Sequence, residues 1–140
     1  MEFIPFYDVL KARLLRNKST LESYIQYLPD LFYILTDLLN ETIIDKNDRI
    51  MICSALGYFI TPNYIIPRGF YDTIGYRDYM FISCLVLNKL AAKHGFSIFD
   101  KIWLGSESFI DVLSNNLTKS GKAMEEMGHA DKILSFVGLL

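Results

Sequence analysis

Apolar and polar positions repeat with a helical period along nearly the whole chain. Leu31, Ile34, Leu35, Leu38 and Leu39 recur at i, i+3, i+4, i+7 and i+8, which places them on one face of an α-helix. Before them, Phe6, Val9, Leu10 and Leu14 follow Pro5, a residue suited to a first helical turn, and predict an opening helix. Ser19 to Glu22 has the form of a capping box. The hydroxyl and the carboxylate of such a box satisfy each other's exposed amides, so a short second helix is expected with Leu21, Tyr24, Ile25 and Leu28 inside. Pro29 and Asp30 then restart the chain into the Leu31–Leu39 helix.

The polar run Asp45 to Asp48 ends that helix, and Asp48 is the expected N-cap of the next. Ile50 to Ile60 is apolar almost all round, which predicts a central, largely buried helix. Pro62 stops it, because the residue before a proline is pushed out of helical geometry. A second strongly apolar helix spans Tyr76 to Lys93 with Tyr79, Met80, Ile82, Leu85, Val86 and Leu90, and Gly95 stands where a left-handed cap belongs. Shorter helices are expected over Ser97 to Leu104 and Ser106 to Thr118. A weaker last one lies within Lys122 to Leu140, interrupted near Gly128. Alternation of period two is sustained nowhere. The reading is all-α: a compact bundle of about six to seven helices around a central helical hairpin joined by a Pro-rich loop. At 140 residues the chain is one domain, 1–140, with the hairpin core at about 31–90.

Composition sharpens this. The apolar fraction is 51%, and ten Phe, nine Tyr and one Trp are more aromatic surface than an ordinary core requires. The surplus either packs a dense core or faces a protein partner, a second copy or a membrane surface. Net charge is −2, and Lys11, Arg13, Arg16 and Lys18 spread around their helix rather than forming a stripe, which disfavours direct nucleic-acid binding. Cys53 and Cys84 fall inside apolar patterns, where free cysteine acts as a small hydrophobe, so no disulfide is expected. The N-terminal residues lack a basic stretch followed by an apolar one, and the expected compartment is the cytoplasm. The longest uncharged run, Ile50 to Pro67, is broken by Pro62 and Asn63. It falls short of the roughly 20 apolar residues of a spanning helix.

Chemistry-bearing groups are sparse. His94 and His129 have no ligand spacing around them, and His94 suits the negative end of a helix dipole; neither a metal nor a cofactor is implied. No serine sits in a nucleophile elbow, no phosphate-cradling glycine run occurs, and Glu125 and Glu126 point to different sides of a helix. Asp72 and Asp78 are the one acid pair from which a small hydrolase or nuclease could be built. Asp78, however, falls in a first helical turn, where a carboxylate complements the dipole. No catalytic residue is assigned.

The most informative stretch runs from Tyr58 through Thr61, Pro62, Ile65, Ile66 and Pro67 to Gly75 and Asp78. It resembles the YkvA-like family of small bacterial and archaeal helical proteins, in which a Tyr-x-x-Ser/Thr-Pro-x-Asp-Leu-Ile-Pro motif precedes a Gly-x-x-Asp-Asp motif opening the next helix. Tyr64 stands where the family has its first aspartate, Arg68 where an acid follows the second proline, and Tyr79 where the second aspartate of the pair would be. Asp78 alone of that acidic set remains. The resemblance implies a helical hairpin with a rigid, partly buried connection, and association with membranes. Ile65 and Ile66 are expected to tuck beneath the connection. Tyr64, Arg68, Phe70, Tyr71 and Arg77 would then project as a partner-binding surface, since tyrosine and arginine dominate interface hot spots. The expected function is a non-catalytic interaction module in a larger prokaryotic assembly of the stress-response or defence kind. The alternatives are a membrane-associated protein and the Asp72/Asp78 hydrolase.

Overall fold

The computed structural model describes residues 6–16, 23–60, 76–103 and 105–138. These form α1 (Phe6–Arg16), a 3₁₀ helix (Ser23–Tyr27), α2 (Leu28–Leu38), α3 (Lys46–Ile60), α4 (Arg77–His94), α5 (Ser97–Asp100), α6 (Phe109–Glu126) and α7 (Ala130–Phe136). Among the described residues there is no strand, and the all-α expectation holds.

α2 buries Leu31, Ile34, Leu35 and Leu38, the stripe its spacing announces. The preceding short helix is a 3₁₀ turn running directly into α2, so Pro29 lies inside the first α-helical turn, where its missing N–H costs no ladder bond. α4 is the most enclosed element. Every residue from Asp78 to Cys84 is buried, together with Val86, Leu87, Leu90 and Ala91. It packs most extensively on α6 and also touches α2 and α3. α3 departs from its expected burial. Ile52, Ala55 and Tyr58 face the core, whereas Ile50 is 55% exposed and Cys53 lies in solvent. An apolar circumference does not say which side a neighbour will cover, and the described neighbours, α2 and α4, leave the Ile50 side open.

Helix ends differ from expectation where tertiary contacts intervene. α3 begins at Lys46, so its cap is Asp45 rather than Asp48. The Asp48 N–H donates to Asp45 Oδ1 at 2.8 Å and the Asp45 N–H donates back to Asp48 Oδ2 at 3.2 Å, a reciprocal box built from two aspartates. α5 is one turn long, ending at Asp100 instead of Leu104. α6 continues past Thr118 to Glu126. Gly121 lies within it because α6 approaches α4 closely there: a Cβ would come 3.2 Å from Phe81 Cε1. α6 stops at Gly128, at φ +74°, with His129 N–H donating to Met124 O at 2.9 Å and Gly128 N–H to Glu125 O at 3.0 Å. That bond pair satisfies carbonyls a helix end otherwise leaves open.

Candidate functional site

The two described ends of the Tyr58–Asp78 stretch meet in the core. Tyr58, in the last turns of α3, is fully buried, and its hydroxyl donates to Asp78 Oδ2 at 2.5 Å. Asp78 belongs to the first turn of α4 and is itself 0% exposed. A carboxylate so enclosed needs donors to offset lost hydration, and the phenol is one. The pair is wrapped in rings: Tyr79 lies edge-on to Tyr58 at 5.5 Å and Phe136 of α7 at 5.7 Å, while Tyr76 tilts against Tyr79 at 5.5 Å. Tyr76 caps α4 in the left-handed region at φ 66°, a conformation costing a non-glycine residue roughly 1–2 kcal/mol. Strain of that kind gathers where a chain must be aimed.

Of the residues singled out by sequence, Tyr58 and Asp78 are thus brought together, and Arg77 is half-buried at the head of α4. Thr61, Pro62, Tyr64, Ile65, Ile66, Pro67, Arg68, Phe70, Tyr71, Asp72 and Gly75 lie outside the described residues.

A second polar constellation joins the other ends of the same two helices. Lys93 Nζ reaches Asp45 Oδ2 at 2.5 Å and Asp48 Oδ1 at 3.0 Å, and His94 Nε2 lies 2.9 Å from Asp48 Oδ2. The acids sit at the positive end of α3 and the bases at the negative end of α4, so each complements its helix dipole. The Lys93 hydrogen bond, aided by the Asp48 N–H, holds the Asp45 carboxyl down at about 2. Burial pushes Asp48 up, but the bonds from His94, Lys93 and the Asp45 N–H outweigh it and leave the group below the ordinary carboxylate range. Asp45, and behind it Asp48, raise the Lys93 ammonium in turn. His94 therefore has the structural role expected of it, with a named partner. Arg49 reaches across to the end of α2, donating from Nη1 to Leu39 O and from Nη2 to Glu41 O at 3.3 Å in the turn that follows.

Sequence reasoning missed this network. Its signals were present: an Asp-x-x-Asp box heading one helix and a Lys-His pair closing another. Among the described residues, no group of three or more His, Cys, Asp or Glu is arranged to hold a metal ion.

Beside the network lies a groove of about 330 Å³ with Met51 and Val137 in its floor, the exposed Ile50 at its edge, and Lys89 and Lys93 along its rim. No helix among the described residues is long and apolar enough to cross a membrane.

No protein-family model matches the sequence. Nor does any solved structure. The chain is 28% identical over 119 residues, 84% of its own length and 80% of the other's, to a protein of Methanothermobacter thermautotrophicus named "Uncharacterized protein ORF9".

Proposed function

We propose that this chain is a non-catalytic helical interaction module, a subunit or adaptor that presents the 61–75 segment to a protein partner in a larger prokaryotic assembly. The observation carrying this reading is the fate of Asp78. The remaining acid of the YkvA-like pattern is wholly enclosed and spends a lone pair on the Tyr58 hydroxyl. A hydrolytic carboxylate must reach a substrate or a water; one sealed under Tyr58 and Tyr79 serves to fasten α3 to α4. The segment between those helices then starts and ends at a tied base.

The reading places the chain as a divergent relative of the YkvA-like proteins that keeps the scaffold and has exchanged acids for Tyr64, Arg68 and Tyr79. The test is affinity capture from the native cell, quantified by mass spectrometry, with wild type, Tyr64→Ala and Arg68→Glu. Partner recovery should drop several-fold for both variants while their circular dichroism and urea midpoints stay unchanged. Equal recovery with folded variants would remove the proposal.

A further inference from the structure

We draw no further inference here: the strongest candidate, the open outer face of α3, where Ile50 and Cys53 stand exposed beside the groove floored by Met51 and Val137, is an apolar surface and nothing in the structure shows what covers it.

Discussion

Tyr58 and Asp78, twenty positions apart, hydrogen-bond at 2.5 Å inside the protein, one from the end of α3 and one from the start of α4. The contact makes the two helices a closed base for the chain between them. It also makes a buried carboxyl group a fastening between them.

Removing the phenolic hydroxyl should therefore weaken the fold rather than an activity. Tyr58→Phe keeps the edge-on ring contacts and deletes one bond to a buried carboxylate, a loss of about 1.5–3 kcal/mol. Urea unfolding should show a lower midpoint at unchanged slope. In a double-mutant cycle with Asp78→Asn, a coupling energy near zero would mean that the two groups do not act as a pair.

Acid sensitivity follows from the Asp45–Asp48–Lys93–His94 network. Asp45 is held at about 2, below the roughly 3.9 of an unfolded aspartate, so its contribution is complete above about pH 4 and disappears as pH falls toward 2. Asp48 is shifted in the same direction and adds to the same loss. Lys93 is raised, so its contribution holds below about pH 10 and is lost as pH rises further. Chemical denaturation from pH 5 to pH 2 should show stability dropping in wild type and a shallower drop in Asp45→Asn. Parallel curves would refute the assignment.

The cysteines should separate cleanly. Cys53 is exposed and Cys84 is buried, and burial pushes the Cys84 thiol far above its ordinary range. Iodoacetamide under native conditions should label Cys53 within minutes and Cys84 only on unfolding, as read by peptide mass spectrometry. Equal labelling rates would contradict the packing of α4.

Gly105 is pinned beneath an indole. A Cβ there would sit 2.3 Å from Trp103 Cζ2, well inside van der Waals contact with the ring. Gly105→Ala should displace Trp103 from Phe109, with which it is 5.4 Å centre to centre, and cost about 1–3 kcal/mol. A shifted emission maximum together with a lower melting temperature checks both halves. An unchanged spectrum would mean the indole stands elsewhere.

Periodicity was a good guide where one side of a helix is apolar and the other polar. Leu31, Ile34, Leu35 and Leu38 had only one way to be buried, and they are. Gly95 and Gly128 were readable as stops because only a residue without a side chain adopts a positive φ cheaply; both do, at +85° and +74°, although Gly95, with ψ 171°, is not the left-handed helical cap expected of it. The α3 pattern carried no such asymmetry, and its open Ile50 side depends on where α2 and α4 lie. The expected end of a helix at Thr118 was also overridden: α6 runs on through Gly121 to Glu126. The close approach of Phe81, 3.2 Å from where a Cβ would stand at Gly121, lies across the helix interface and is encoded by nothing near position 121.

The polar contacts divide in the same way. Local rules announced that Asp78 would head a helix and His94 would close one, since a dipole acts within a single turn. Which side chain each would meet, Tyr58 for the first and Asp48 for the second, was settled by packing. Helices are written in neighbouring residues three and four apart. Partners across a bundle are chosen by the burial of all the helices at once, and that sum exists only in the folded chain.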